Sequence, residues 1–163
     1  MMPLPRKRAE TLAWRLDTTA HAQAWSSGEG ARIAGGRWNP AGVPAVYTSL
    51  DPATAILEVA VHKSFATLAR VPHTLTWCRI SDPELSILAA ADVPDDRWLH
   101  AGLPSAAQQQ FGLRLLNQHN AFVVPSVVSH HGWNLVFLPK AFKARYILID
   151  QEPFALDTRL NRP

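Results

Sequence analysis

The sequence predicts a single α+β domain. Two helical stretches, at 53–65 and 105–119, stand among short runs rich in β-branched and aromatic residues. Gly, Pro and Asp-Pro turns separate those runs. At 163 residues, 47% hydrophobic and 18% charged, the chain has enough apolar material for one sizeable core.

The elements follow in order. Residues 1–10 (MMPLPRKRAE) read as a Pro-broken basic tail, expected to be mobile. Thr11 to Leu16 is a strand in which Trp14 and Arg15 point to opposite faces. A helical turn at Ala20 to Trp25 leads into a Gly-rich stretch, Ser26 to Gly36, read as a flexible loop. Val43 to Thr48 is a short strand. Asp51 then caps a helix with Pro52 at its first position. Ala55, Ile56, Leu57, Val59, Ala60 and Val61 leave that helix almost no polar face, so it is expected to be buried all round.

Strands are predicted at His73 to Ile80 and, after the Asp82-Pro83 turn, at Glu84 to Leu88; a short helix is predicted at Asp95 to His100. Ser105 and Gln108 form a capping box for the second helix, with Phe111, Leu115 and Leu116 on its apolar face and the glutamine run as a solvated one. Ala121 to Val128 is a strand that Pro125 confines to an edge or a bulge. A turn at Ser129 to Trp133 precedes the apolar run Leu135 to Leu138. Ala144 to Ile149 is the last strand, and 151–163 reads as a polar C-terminal tail, so the domain proper is 11–150.

Composition excludes several classes. A net charge of +3 suits an anionic small molecule or an acidic partner but does not demand nucleic acid, and the basic residues are scattered. The lone Cys78 cannot form an internal disulfide, and no Cys/His spacing resembles a metal site. No stretch approaches a membrane span and no apolar segment follows the basic N-terminus, so a reducing cytoplasm is expected.

The chemistry concentrates in GGRWNPAGVPAVYTSLDPATAILEVAVH, residues 35–62. Gly35 and Gly36 allow positive φ or close backbone approach, where a phosphate could rest beside Arg37. Glu58 sits in the middle of the apolar helix. A carboxylate there must be paired or kept for chemistry: a buried Arg–Glu pair tying loop to helix is one reading, a site is the other. Ser126 reads either as a satisfied strand serine or as a hydrogen-bond partner for a ligand; with no base nearby in sequence it is not a hydrolase nucleophile. His130 and His131 are adjacent in extended backbone, point apart and have no nearby carboxylate or Cys.

The order GGRWNPxGxPxVYTS, then a Pro-started helix with a mid-helix Glu, and later a VPS tripeptide, resembles the RES-domain family, toxins of RES–Xre toxin–antitoxin pairs. The resemblance runs from about Trp14 to Ile149. It implies a diphtheria-toxin-type ADP-ribosyltransferase fold, with two small antiparallel sheets facing each other around an NAD cleft and the two helices flanking them. The family's Arg, Glu and Ser fall on Arg37, Glu58 and Ser126, and Arg15 and Asn134 match positions near them. The implied roles are Glu58 at the forming ribosyl cation, Arg37 and Arg15 at the pyrophosphate, Tyr47 stacked on nicotinamide with its hydroxyl free for ribose or carboxamide, and Ser126 and Asn134 in substrate binding. Trp38 is read as a plug under the loop. Where the family often has a second Asn, this chain has Leu138.

NAD would enter as substrate, with no cofactor and no metal. The implied partner is an Xre-type helix-turn-helix antitoxin, and contact with DNA would come only through it. The implied activity is NAD+ degradation by a glycohydrolase or phosphorylase route, with protein ADP-ribosylation as the alternative acceptor chemistry. A non-enzymatic basic binding module and a metal-free ribonuclease using His130, His131 and Arg37 are the competing classes.

Overall fold

The computed structural model describes Pro5 and residues 10–161. The expectation of a mobile tail over 1–10 falls outside the described residues except at Pro5 and Glu10. Seven strands form one sheet: β1 (Thr11–Thr18), β2 (Val46–Ser49), β3 (His73–Ile80), β4 (Ser86–Ile87), β5 (Ala121–Pro125), β6 (Trp133–Phe137) and β7 (Tyr146–Phe154), in the order β4-β5-β6-β2-β1-β3-β7. Every neighbouring pair is antiparallel except β4 with β5.

One sheet replaces the two that the resemblance implied, although the sheet nearly divides. β1 pairs with β3 along its whole length, from Thr11↔Ile80 to Thr18↔His73, but meets β2 at the single register pair Trp14↔Ser49. The halves β4-β5-β6-β2 and β1-β3-β7 therefore hinge on a narrow seam.

Alternation along the strands fixes what covers each face. Trp14 and Ser49 lie opposite each other, so their side chains share a face, and Tyr47, two residues from Ser49, shares it too. Trp14 packs in a cluster with Leu16, Leu75 and the helix α2 (Pro52–Arg70). Tyr47 packs in a cluster with Phe122, Val124, Val136 and the helix α3 (Ala106–His119). Both long helices thus lie on one face, α2 over the β1–β3 half and α3 over the β5–β6–β2 half. The other face carries a separate core of Ala13, Val46, Cys78, Val123, Leu135, Phe137 and Phe142.

The cap of α2 is as expected: Asp51 accepts from the Thr54 amide (2.8 Å) and Pro52 opens the helix. Its burial is not. Leu57 is 37% and Val61 64% exposed, because α2 has the sheet on one side and solvent on the other. The helix breaks at Ser64 (φ 69°, ψ 154°), whose hydroxyl accepts from the Thr67 amide (3.3 Å) and caps the last segment. The predicted end near Phe65 coincides with that break.

Other differences have simple causes. The 26–36 stretch contains a short helix, α1 (Glu29–Ala34), held by an Arg32–Glu29 pair one turn apart. β4 is only two residues long, a parallel strand alongside Phe122 and Val123. Neither the edge nor the bulge reading of Pro125 holds: β5 lies between β4 and β6 with unbroken register to β6, and Pro125 is tolerated because it ends β5 beyond the two residues that β4 pairs. β7 extends through Gln151 and Glu152 to Phe154, so the polar tail does not begin at 151. As the edge strand it carries polar residues facing water, a composition that reads as tail. Gln151 is also tied inward, donating to the Ala22 carbonyl (2.8 Å) and to Thr76 Oγ1 (2.9 Å).

Candidate active site

Glu58, Ser126 and Asn134 converge where α2 meets the ends of β5 and β6. Glu58 Oε1 accepts from Ser126 Oγ (2.8 Å) and from Asn134 Nδ2 (2.6 Å). Both are charge-assisted hydrogen bonds, which are about twice as strong as neutral ones. Glu58 is only half-buried, and its second oxygen, Oε2, has no protein partner among the described residues. One oxygen is anchored and the other is available.

The anchors are themselves fixed. Pro125 closes β5, the Ser126 amide donates to the Gly132 carbonyl (2.9 Å), and the chain turns at once. Within that turn Ser126 Oγ accepts from the amides of Val128 (3.1 Å) and Ser129 (3.0 Å). A hydroxyl has one proton and two lone pairs, and all three are used. Ser126, 5% exposed, thus spends its hydroxyl on Glu58 and on its own turn. Asn134 on β6 is tied at its other end, where its Oδ1 accepts from Ser49 Oγ (2.7 Å).

Arg37 does not pair with Glu58. Its guanidinium donates to three backbone carbonyls, one in the Asp96–Leu99 3₁₀ turn, Trp98 (3.4 Å), and two just after it, His100 (3.5 Å) and Gly102 (3.0 Å). Burial pulls its pKa down, and the Glu58 carboxylate, near enough to act through space, pushes the other way. The structural ion-pair reading of these two residues therefore fails. What stands instead is a half-buried cation held by neutral oxygens, and a separate carboxylate on α2 with one oxygen unbonded among the described residues.

Tyr47 lies on β2 two residues before Ser49, and its hydroxyl is not free. It accepts from the Trp38 amide (3.0 Å) and donates to Asn39 Oδ1 (2.6 Å). Asn39 in turn donates to the carbonyls of Ala31, Pro40 and Val43, so Tyr47 pins the whole 36–43 loop. Only its ring remains for a ligand. The Gly-Gly pair serves the same loop: Gly35 has φ 74°, and a Cβ on Gly36 would lie 2.5 Å from the Tyr47 hydroxyl. The backbone of Gly36 is already engaged by Asn39 and Gln109, so it forms no open cradle for phosphate. Trp38 is buried against Phe111 and Phe122, as a plug should be.

Arg15 is also committed. It grips Asp17 through two bonds of 2.8 Å and donates to the Tyr47 carbonyl (2.9 Å), bracing the seam between β1 and β2. By alternation it leaves β1 on the face opposite Trp14 and α2. The Asp17 carboxylate already offsets the charge it would bring to a pyrophosphate. His130 and His131 are exposed in the turn after Ser129, and Leu138 packs in the apolar cluster around α3. No group of three His, Cys, Asp or Glu side chains is placed to hold a metal among the described residues.

Three supporting residues escape the sequence reading. Ser49 orients Asn134, and it could have been found by alternation, two positions beyond Tyr47. Gln108, 1% exposed, donates to the Trp98 carbonyl (3.1 Å), and Gln109 donates to the Gly36 carbonyl (2.9 Å). The glutamine run is therefore a clamp on the loops that carry Arg37, and only Gln110 is exposed. Gln108 also leaves the capping box half-made: Ser105 accepts from its amide (3.1 Å), but its side chain goes to Trp98.

Burial raises the Tyr47 phenol well above its ordinary value near 10, against the pull of the Trp38 amide and of Arg37. A raised pKa favours the neutral phenol in the folded state. That stabilisation is complete below pH ~10 and is lost as pH rises past it. Urea unfolding is expected to show a falling midpoint above pH ~10 that is shallower in Tyr47→Phe. At pH 7 the same substitution strands Trp38 N–H and Asn39 Oδ1 and costs about 1–3 kcal/mol. The buried Cys78 thiol, pushed up to about 12, adds a slope of the same sign from lower pH, and it is unchanged in this variant.

The family model described as RES domain matches residues 12–157. The chain is 29% identical over 153 residues to Toxin Res of Photorhabdus laumondii, covering 91% of this chain and 96% of that protein. It is 32% identical over 150 residues to the Prs ADP-ribosylating toxin of a Sphingobium species, covering 84% and 91%. Among solved structures, the M. tuberculosis MbcT–MbcA toxin–antitoxin complex contains a chain that superposes with a TM-score of 0.67 at 22% identity, covering 90% of this chain and 85% of that one.

Proposed function

Because the chain belongs to the RES domain family, we propose that it is the toxin of a toxin–antitoxin pair and acts by breaking the nicotinamide–ribose bond of NAD+. The observation that carries this reading is the asymmetry of Glu58, with one oxygen bound by Ser126 and Asn134 and the other without a partner among the described residues.

Cleavage of an N-ribosyl bond passes through an oxocarbenium-like transition state, as in glycoside hydrolysis. The C1′–N bond breaks, its electron pair leaves on nicotinamide, and positive charge develops on the ribose. A fixed carboxylate oxygen facing that charge, or the adjacent 2′-hydroxyl, stabilises it without reorganising at the moment of reaction. Oε2 of Glu58 supplies this, and the two donors on Oε1 keep the group oriented. Arg37, whose hydrogen-bond partners among the described residues are neutral carbonyls, can turn toward the pyrophosphate. The Tyr47 ring offers a face for nicotinamide.

The acceptor then completes the reaction. Water bonds C1′ and loses a proton, giving ADP-ribose; inorganic phosphate gives the 1″-phosphate. The name of the Sphingobium relative favours a second reading, in which a protein side chain is the acceptor and ADP-ribose is transferred to it. In either case the partner is an Xre-type helix-turn-helix antitoxin that covers the site, and the protein acts in the cytoplasm.

Purified, antitoxin-free protein is expected to consume NAD+, read by product mass with and without inorganic phosphate. ADP-ribose means hydrolysis, ADP-ribose-1″-phosphate means phosphorolysis, and a mass increase on a cellular protein means transfer. If folded protein leaves NAD+ intact under all three conditions, the reading fails.

A further inference from the structure

We propose that Ser49 is a positioning residue that acts on Glu58 through Asn134. The proposal rests on the NAD-cleaving reading for its kinetic consequence but not for its structural one. The register row Trp14↔Ser49↔Asn134↔Val124 crosses β1, β2, β6 and β5 at the level of Glu58. In that row Ser49 and Asn134 are directly opposite, the separation at which short polar side chains on neighbouring strands bond each other.

Ser49 is 2% exposed, and a hydroxyl placed there for packing alone would be a poor choice, since alanine fills the same row without a polar group to satisfy. Its side chain has one hydrogen-bond partner among the described residues, Asn134 Oδ1 at 2.7 Å. Asn134 then donates its Nδ2 to Glu58 Oε1 at 2.6 Å. A primary amide held at both ends cannot rotate. Held at one end only, it swings about its χ2 axis, and Glu58 keeps only Ser126 as a fixed donor. Glu58 reaches across from α2, on the β1–β3 half, whereas Ser126 and Asn134 belong to the β5–β6 half. Ser49 sits at the one pair that joins β2 to β1. The seam between the halves and the orientation of the carboxylate are thus governed by the same row.

The first arm of the test needs no activity. In wild-type protein without nucleotide, the Asn134 side-chain amide protons are expected to be shifted and slow to exchange by NMR, and in Ser49→Ala both features are lost. The second arm is kinetic. Ser49→Ala is expected to lower kcat about tenfold or more through misplacement of Glu58, with KM unchanged. The Ser49→Ala/Asn134→Ala double variant is expected to be no slower than Asn134→Ala alone, because both act along one path. Ser49→Cys replaces Ser49→Ala should the latter not fold. An Asn134 amide unaffected by the substitution, an unchanged kcat, or losses that simply multiply would each overturn the proposal. A wild-type protein that leaves NAD+ intact defeats the functional reading alone, and the NMR arm then decides the role of Ser49.

Discussion

Glu58→Gln is expected to lower NAD+ turnover by about a hundred- to a thousandfold, the loss typical when one preorganised electrostatic stabiliser is removed, and to abolish growth arrest. The substitution is unusually clean because the carboxylate is asymmetric. The glutamine carbonyl can take the place of Oε1 and still accept from Ser126 and Asn134, so the anchors stay satisfied. At the position of Oε2 an amide NH₂ replaces a negative oxygen and presents hydrogens to a developing cation. Charge is lost while shape and hydrogen bonds are kept, so the circular dichroism and thermal midpoint should match wild type. Glu58→Ala is a poorer experiment, since it strands the donors of buried Ser126 and half-buried Asn134 and mixes a stability loss into the result. Growth arrest that survives Glu58→Gln at wild-type expression would remove NAD+ cleavage as the cause of toxicity. The ribonuclease reading through His130 and His131 would then need testing directly by RNA cleavage.

Much of this site was legible in the chain, for identifiable reasons. Asp51 and Pro52 marked the start of α2 because capping chemistry is local. The β3 boundaries at His73 and Ile80 followed from a run of β-branched and aromatic character that the Asp82-Pro83 turn closes. Glu58 stood out because a carboxylate amid apolar helix residues needs an explanation. What could not be read were partnerships between residues far apart in sequence. Nothing near Ser126 in sequence revealed that two amides and Glu58 would engage its hydroxyl. The Tyr47 hydroxyl looked free because its acceptor, Asn39, lies across a loop. Arg37 and Glu58 looked like a pair by charge alone, whereas the loop at 98–102 supplies the partners of Arg37.

The all-apolar reading of α2 failed for a different reason. Sequence pattern reports how apolar a helix is, not how many sides the fold covers. Leu57 and Val61, one turn apart and exposed beside the Glu58 position, leave an apolar strip next to the site. An antitoxin that covers the site would bury that strip as well, so the residues that defeated the burial prediction fit the partner proposed for this chain.

The second large effect is structural. Gly112→Ala is expected to destabilise the protein by about 3 kcal/mol, a fall of roughly 6–12 °C in thermal midpoint for a domain of this size. In α3 a Cβ on residue 112 would overlap the Trp38 carbonyl oxygen and lie 2.7 Å from the Trp38 carbonyl carbon and Cα. Those are backbone atoms, with no flexible side-chain end to yield. Trp38 cannot retreat, because its amide is bonded to Tyr47 and its indole is buried between Phe111 and Phe122. Helix α3 cannot retreat either, with Leu116 fully buried and Ser105 capping its first turn. The helix-propensity gain of alanine over glycine, about 1 kcal/mol, is too small to offset the overlap. Gly30→Ala is the control: it is also helical, its Cβ meets open space, and it should be neutral or mildly stabilising. Arg37 is adjacent to Trp38, so any displacement that relieves the strain in Gly112→Ala also moves the guanidinium, and NAD+ turnover should fall along with stability. Equal thermal midpoints for the two variants would mean that α3 and the Trp38 backbone are not in contact, and the clamp on the Arg37 loop would have to be rebuilt without it.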